Sequence, residues 1–482
     1  MILSALVKRL HGASLRGNGS VEITGLTYDS RRVQPGNLFC ALVGGSSNGN
    51  DFIPQALKNG ALAVMTDKPD DVTADVPVVV VPDARVAMAY AAHELFDKPT
   101  QKLVLTGITG TNGKTTCTYV LQSILNAAGH KTGLIGTTGW SFAGEGEPLE
   151  RTTPEAPDML ALLANMREKG ATAAVLEVTS IAMPMHRVDG FHFAAGLFTN
   201  LSQDHLDLHG SMEQYFAAKT SFFEMLPADA VAVTNFDDEN GKRALLNTRA
   251  LTYRYGFNQD AEVRGTLVEE SASGMTIRVD GPFGSFEMKT PYIGRFNASN
   301  VLGCATLALA MRIKVSAIQA GVANAPQVRG RMERLSLEGG VTAVIDYAHT
   351  PDALQRALEA LRPLTSGKLI VVIGAGGNRD ATKRPLMGKA AADGADVAVI
   401  TSDNPRFEDP AGIVRQVASG AGEKAVVVVD RREAIKRALD LANSGDVLLI
   451  AGKGHETYQE IEGVKHPFDD REEVLKLRRA AC

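Results

Sequence analysis

The chain has 482 residues, 44% of them hydrophobic and 22% charged, with 50 Lys and Arg against 55 Asp and Glu for a formal net charge of −5. That length exceeds what one hydrophobic core organises and points to about three domains of an ordinary globular protein. The slight acidity argues against a nucleic-acid partner, which needs a basic face, but local Lys and Arg can still bind small anions.

From the N-terminus, MILSALVKRL carries its charges after a very short apolar run, the reverse of a signal peptide. Residues 1–98 read as a small α/β domain. Strand-like runs flank a turn at Gln34-Pro35-Gly36, a helix covers Ile53–Lys58, and strands follow at Ala61–Thr66 and Val78–Val81. Asp97-Lys98-Pro99-Thr100 reads as a linker. Residues 99–330 alternate strand and helix as a doubly wound sheet does. A buried strand starting at Leu103 runs through glycines into a helix that opens at Lys114. Strands near Lys131–Ile135, Thr172–Val178, His192–Thr199 and Ala230–Thr234 interleave with helices near Ala156–Lys169 and Met212–Met225. A β-rich stretch at 250–290 precedes an apolar helix at Asn297–Arg312. Residues 331–482 form a third α/β block, Rossmann-like in its alternation, with strands at Ala343–Tyr347, Leu369–Ile373, Val397–Thr401, Val426–Val429 and Val447–Ala451. GAGGNRD follows a later strand rather than the first, so a dinucleotide fingerprint is not indicated. No apolar run reaches the roughly 18 residues of a membrane span. Cys40, Cys117, Cys304 and Cys482 share no metal-ligand spacing and suit a reducing cytoplasm. A cytoplasmic monomer is expected.

The chemistry centres on LVLTGITGTNGKTT. A strand passing through Gly110, Thr111, Asn112 and Gly113 into a helix at Lys114, Thr115 and Thr116 aims bare N–H groups and the positive end of a helix dipole at an anion. Lys114 suits the β/γ-phosphates of ATP and the Thr115 hydroxyl suits Mg²⁺. The spacing is a variant of the P-loop, because Ile108 stands where the first glycine is usual. Glu177 ends a strand of the same sheet, and His205 sits in a polar loop with Asp204, Asp207 and His209. Beside a P-loop these groups suit Mg²⁺ bridging ATP to a second anion; taken alone, Glu177 is more often a structural carboxylate and His205 a loop residue with a satisfied hydrogen bond. Lys219 lies on a helix where a lysine is ordinarily solvated, yet Phe216, Phe222 and Phe223 around it suggest burial. Asp403-Asn404-Pro405-Arg406 follows a strand. There Arg406 either grips a substrate carboxylate with two hydrogen bonds or pairs with Glu408 or Asp409.

TGTNGKTT, EVTS, NLSQDHLDLHG, YFAAK, GRFNASN, GRME and DYAHTPD occur in the order seen in the Mur ligases of peptidoglycan precursor synthesis. With DSRRVQPGNLF, DNPR and GKGHE, the chain resembles that family along nearly its whole length, and its diaminopimelate-adding branch in particular. The resemblance implies three domains, for a UDP-sugar, for ATP and for an amino acid. It implies ATP-driven amide formation through an acyl phosphate, joining meso-diaminopimelate to the D-glutamate side-chain carboxylate of a UDP-N-acetylmuramoyl dipeptide. In the implied roles Gly110–Thr116, Asn297, Arg331 and Asp346 serve ATP, with His349 in the same motif. Thr115, Glu177, His205 and a carbamylated Lys219 hold Mg²⁺. Tyr28, Ser30, Gly45, Ser46, Ser47, Thr152, Thr153, Thr179 and Arg187 contact the UDP-muramyl dipeptide, with Met185 standing where relatives often carry glutamine. Arg379, Asp403, Asn404, Pro405, Arg406, Gly452 and Glu456 contact diaminopimelate. Hinges are expected near 98–102 and 326–331. A sister ligase for lysine, a polyglutamate synthase and a P-loop switch without synthetic chemistry are the alternatives.

Overall fold

The structure is a computed structural model that describes residues 1–44, 48–204 and 206–479. The chain forms two compact units, Met1–Arg264 with Gly303–Gly321, and Gly265–Leu302 with Val322–Cys482.

The first unit opens with five short strands, β1 (Ser14–Arg16), β2 (Gly25–Thr27), β3 (Asn37–Cys40), β4 (Ala63–Thr66) and β5 (Val78–Val80). They pair in the order β1-β5-β4-β3-β2, parallel except for β1. Alternate side chains enter different cores, as a pleated strand requires: Leu38, Cys40, Ala63 and Met65 face one, Phe39 and Val64 the other. The first of these cores is continuous with the one under the next sheet, through helix Ala84–Leu95 and residues such as Leu103 and Leu105.

That larger sheet holds β6 (Val104–Thr109), β7 (Thr132–Gly136), β8 (Gly139–Phe142), β9 (Glu145–Glu147), β10 (Ala173–Glu177), β11 (Ala195–Phe198), β12 (Val231–Asn235) and β13 (Leu251–Gly256). Their order is β9-β8-β7-β10-β6-β11-β12-β13, parallel from β7 to β13 with an antiparallel β8–β9 hairpin at the edge. β7, β10, β11 and β12 are buried along their whole length, as strands covered on both faces must be. The strand order reverses at β6, so the Gly-rich turn that follows it emerges at a topological switch point, where α/β sheets bind ligands. Register sets Glu177 beside Ile108 at the same sheet edge.

The segment read as a linker is ordered. Asp97 and Lys98 take positive φ, Pro99–Gln101 forms a 3-10 turn with Pro99 and Thr100 buried, and the Lys98 amide donates to the His93 carbonyl. Residues 98–102 therefore lie inside the first unit.

β14 (Val263–Ser271) begins in the first unit and ends in the second, where β15 (Gly274–Gly281) and β16 (Gly284–Thr290) form a hairpin. The second unit is built on β17 (Glu333–Leu337), β18 (Val341–Asp346), β19 (Leu369–Ile373), β20 (Val397–Ile400), β21 (Ala425–Val427) and β22 (Val447–Ala451). The order is β17-β18-β22-β19-β20-β21, with only β17 antiparallel. Helices Pro351–Leu361, Lys383–Gly394 and Pro410–Ala421 cover one face, and Arg431–Leu441 with Asp470–Leu477 the other. A final hairpin, β23 (Tyr458–Ile461) and β24 (Val464–Pro467), follows β22. No described helix is long and apolar enough to cross a membrane.

Candidate active site

The turn after β6 is held by the loop that leaves the neighbouring strand β11. The Thr199 hydroxyl donates to the Asn112 carbonyl at 2.6 Å, and the Asn112 amide donates to Asn200 Oδ1 at 3.0 Å. The Thr111 amide donates to the Asn200 carbonyl at 2.8 Å, and its hydroxyl donates to the Ser202 carbonyl at 3.2 Å. Only glycine fits at 110: its φ is +142°, and a Cβ there would stand 1.9 Å from Thr199 Oγ1. Thr115 and Thr116 are buried in the first turn of helix Lys114–Ala127.

Two lysines converge on one carbonyl. Lys114 Nζ donates to the Gly110 and Thr111 carbonyls, both at 2.9 Å, and Lys219 Nζ donates to the Gly110 carbonyl at 2.7 Å. Lys219 is 2% exposed and lies 4.5 Å above the Tyr215 ring. Burial first, and then the charge of Lys114, push its pKa well below the ordinary lysine value, with Asp204 opposing. The burial suggested by its phenylalanine neighbours is present, because Lys219 faces inward with Tyr215, Phe216, Phe222 and Phe223 on the same helix.

Glu177 is buried at the end of β10, and its carboxylate accepts from the Thr137 amide at 2.9 Å and the Thr137 hydroxyl at 3.0 Å. Thr152 and Thr153 flank it: Thr137 and Thr152 hydroxyls meet at 3.2 Å, and the Thr153 hydroxyl donates to the Glu177 carbonyl at 2.7 Å. Thr179 donates its amide to Thr153 Oγ1 at 3.1 Å. Arg187, also buried, donates to the Thr153 carbonyl at 3.2 Å and to Glu155 at 3.1 Å. Glu155, 4% exposed, also takes Arg85 at 2.9 Å and Arg151 at 2.7 Å, so one carboxylate serves three guanidiniums.

Nearer the small sheet, Tyr28 donates to Asp158 at 2.6 Å, and Arg32 pairs with the same carboxylate at 2.8 Å. Burial and then that carboxylate raise the Tyr28 pKa, keeping the phenol protonated. Ser30 is buried and donates to Gln55 Oε1 at 2.9 Å. Met185 is half-buried. Gly45, Ser46, Ser47 and His205 lie outside the described residues. Among the described residues no group of three or more His, Cys, Asp or Glu gathers as a metal site.

In the second unit Asn297 is buried on helix Arg295–Ala310, donating to the Ile293 carbonyl at 3.0 Å. Asp346 ends β18 and accepts the Met332 and Ala348 amides, each at 2.8 Å. Burial raises its pKa against the lowering charge of Arg331. The Arg331 guanidinium stands 4.7 Å over the Tyr347 ring, which also meets His349 at 4.7 Å and His455 at 5.2 Å.

The ends of β19, β20 and β22 collect the remaining candidates. Asp403, Asn404 and Pro405 are buried after β20, Arg379 is exposed in the loop after β19, and Gly452 and Glu456 follow β22. Arg406 takes φ +52°, donates to the Gly377 carbonyl at 2.8 Å and pairs with Glu460 at 3.2 Å. Its acidic partner is therefore Glu460 of β23, because Glu408 pairs with Arg384 and Asp409 caps helix Pro410–Ala421. Gly452, at φ +113°, lets Asp403 approach: a Cβ would sit 2.5 Å from Asp403 Oδ2. Lys453 is fully buried and donates to Asn404 Oδ1 at 3.0 Å and Glu456 Oε2 at 3.1 Å. Arg431 and Asp470, both fully buried, pair at 2.7 Å, and Arg431 also donates to the Ser402 and Ala451 carbonyls, tying the ends of β20 and β22 together. Glu155, Asn200, Arg431, Lys453 and Glu460 were not singled out from sequence. Asn200 and Lys453 sit within the motifs NLSQDHLDLHG and GKGHE, and Glu155 lies two residues past Thr153, so adjacency was the available signal.

Three family profiles match in chain order: Mur ligase family, catalytic domain, at residues 22–95; Mur ligase middle domain at 108–308; and Mur ligase, glutamate ligase domain, at 330–454. A UDP-N-acetylmuramoyl-L-alanyl-D-glutamate–2,6-diaminopimelate ligase of Bacteroides thetaiotaomicron is 40% identical over 483 residues, covering 99% of each chain. The protein of that name from Gloeobacter violaceus is 42% identical over 476 residues, 97% of each. A solved structure of a ligase so named superposes with a TM-score of 0.72 at 33% identity, covering 99% of this chain and 98% of that one. A folylpolyglutamate synthase of Mycobacterium tuberculosis shares the fold at TM-score 0.64 and 19% identity, over 76% of this chain and 92% of its own. From the profiles spanning residues 22–454 and the full-length relatives at about 40% identity, the chain belongs to the Mur ligase family.

Proposed function

We propose that the chain is an ATP-dependent amide-forming ligase that adds meso-diaminopimelate to the D-glutamate side-chain carboxylate of UDP-N-acetylmuramoyl-L-Ala-D-Glu, in peptidoglycan precursor synthesis. The carrying observation is the cluster at the ends of β19, β20 and β22, where Arg406, Asp403 and Glu456 offer both signs of charge, and Asn404 a neutral amide, to a ligand bearing ammonium and carboxylate groups. The working division of the chain is 1–98 for the UDP-sugar, 99–330 for ATP and 331–482 for the amino acid.

In the first step the glutamate carboxylate attacks the γ-phosphorus of ATP and releases ADP, leaving an acyl phosphate. Two anions approach each other there, and Lys114 with the amides of Gly110–Thr116 offsets the accumulating charge. Asn297, Arg331 and Asp346 are the proposed nucleotide contacts carried by the second unit. Tyr28, Ser30, Gly45–Ser47, Thr152, Thr153, Thr179 and Arg187 hold the UDP-muramyl dipeptide. In the second step the diaminopimelate amine attacks the acyl carbon and phosphate leaves.

Thr115, Glu177, His205 and Lys219 are the proposed holders of Mg²⁺, which when bound neutralises phosphate charge. Oxygen donors suit that cation, whereas an ammonium at Lys219 does not. The buried, pKa-lowered amine supports carbamylation: the neutral Nζ adds to CO₂, losing one proton, and becomes an anionic oxygen ligand. The proposed setting is the cytoplasm, as a monomer, consistent with the buried free thiols of Cys40, Cys117 and Cys304.

Mass spectrometry of the nucleotide product tests the proposal. UDP-muramyl dipeptide, ATP, Mg²⁺ and diaminopimelate together should give the tripeptide with one ADP per product. ADP release that needs neither the dipeptide nor the amino acid would instead indicate a nucleotide switch.

A further inference from the structure

Among the described residues of the second unit, the only lysine with no solvent exposure is Lys453, just past the end of β22. Burying an ammonium is costly unless it is paired, and three groups surround this one. Asn404 Oδ1 lies at 3.0 Å, Glu456 Oε2 at 3.1 Å and Asp403 Oδ1 at 4.0 Å. The Tyr458 ring lies 5.6 Å from Nζ. The contacts orient the neighbours as well as satisfying the lysine. Asn404 Oδ1 accepts both Lys453 and the Glu460 amide, at 2.9 Å, so its Nδ2 is directed at Glu456 Oε2, at 2.8 Å. Both contacts to Glu456 thus fall on Oε2. Two carboxylates and one ammonium leave the cluster with one net negative charge, enough to attract one substrate ammonium without two unbalanced acids repelling each other.

We propose that Lys453 is a positioning residue for amino-acid recognition: directly, and through the Asn404 amide that donates to the same oxygen, it fixes the Glu456 carboxylate as a preset acceptor for an ammonium group of a diamino-dicarboxylate. This deepens the functional reading above and rests on it. Lys453 acts through Asn404 and Glu456, not on the reacting atoms, so its loss weakens capture of the amino acid and leaves the chemical step in place once the site is filled. By analogy with partners that orient metal ligands, the expected loss is about 10–100-fold in apparent affinity.

The test is steady-state kinetics of Lys453→Met, which keeps the stem and removes the charge, with each substrate varied in turn. The expected result is a KM for diaminopimelate raised about 10–100-fold. The KM for ATP, the KM for the UDP-muramyl dipeptide and kcat at saturating diaminopimelate should stay within about twofold. If Lys453→Met does not fold, Lys453→Gln, which retains a donor for Asn404 and loses the charge beside Glu456, carries the same test. An unchanged KM for diaminopimelate, or three KM values rising together, would overturn the proposal. Failure of the unmodified enzyme to use diaminopimelate would instead overturn the functional reading, so the two failures are separable.

Discussion

Lys219 and Lys114 share the Gly110 carbonyl, and two ammonium charges that close oppose each other. Lys219, the more buried, is the one whose charged form is disfavoured. Lys219→Ala should therefore be almost inactive and be partly restored by a small carboxylic acid that supplies the missing oxygen ligand. Near-normal turnover would return Lys219 to a packing role. Lys114→Ala should slow acyl-phosphate formation on the order of 10³-fold, the scale of losing one contact to developing charge. Rapid-quench measurement of ADP reads this directly, and an unchanged first turnover would contradict it. Glu155 is a different kind of residue, since it binds three guanidiniums and orients Arg187 against Thr153. Glu155→Gln should raise the KM for the UDP-muramyl dipeptide with little effect on the KM for ATP. Lys219 was legible because aromatic residues crowd a lysine on a helix. Glu155 and Lys453 were not, because a single carboxylate or ammonium carries no periodicity, and only tertiary pairing reveals its burial.

At the scale of elements, the loop after β20 is braced by a hairpin that sequence did not reveal. β23 and β24 are short and largely polar, β24 is exposed throughout, and the Glu462-Gly463 turn between them takes positive φ at both residues. That is the twist a tight hairpin needs, carried by a dipeptide weaker as a signal than Asn-Gly. The parallel strands, by contrast, were readable as apolar runs, and β19 and β22 match their expected limits. The hairpin delivers Glu460 to Arg406 and bridges Arg406 to Ile461. Arg406→Ala should lose diaminopimelate affinity while nucleotide binding, followed by calorimetry, stays intact. Equal loss of both would mean that the loop collapses without the guanidinium.

For the whole molecule, His93 in the first unit and His455 in the second are histidines that folding keeps neutral. Burial lowers His93 in the first unit to about 4, and burial with the charges of Arg331 and Arg329 lowers His455 in the second to about 4, both from 6.5. The unfolded chain takes up these protons below pH 6.5 and the folded chain does not, so stability is full above that pH and falls as pH drops towards 4. At pH 5 the loss is about 2 kcal/mol per histidine. Urea denaturation of His93→Gln should show a weaker pH dependence than the unmodified protein between pH 7 and pH 5, and equal slopes would contradict the assignment. The alternation of strand and helix across the chain was readable, but its grouping into two compact units was not. One continuous core joins the small sheet to the central one, a property of packing that local patterns do not carry.

This ligase is expected to select an amino acid bearing a second carboxylate. The most direct measurement compares kcat/KM for meso-diaminopimelate and for L-lysine, with UDP-N-acetylmuramoyl-L-Ala-D-Glu, ATP and Mg²⁺ held saturating and phosphate release as the readout. A site built around Arg406 should favour diaminopimelate by up to about 10⁴-fold, because lysine has no distal carboxylate to offer that guanidinium and sets an ammonium near it. Comparable values for the two amino acids would rule this selectivity out.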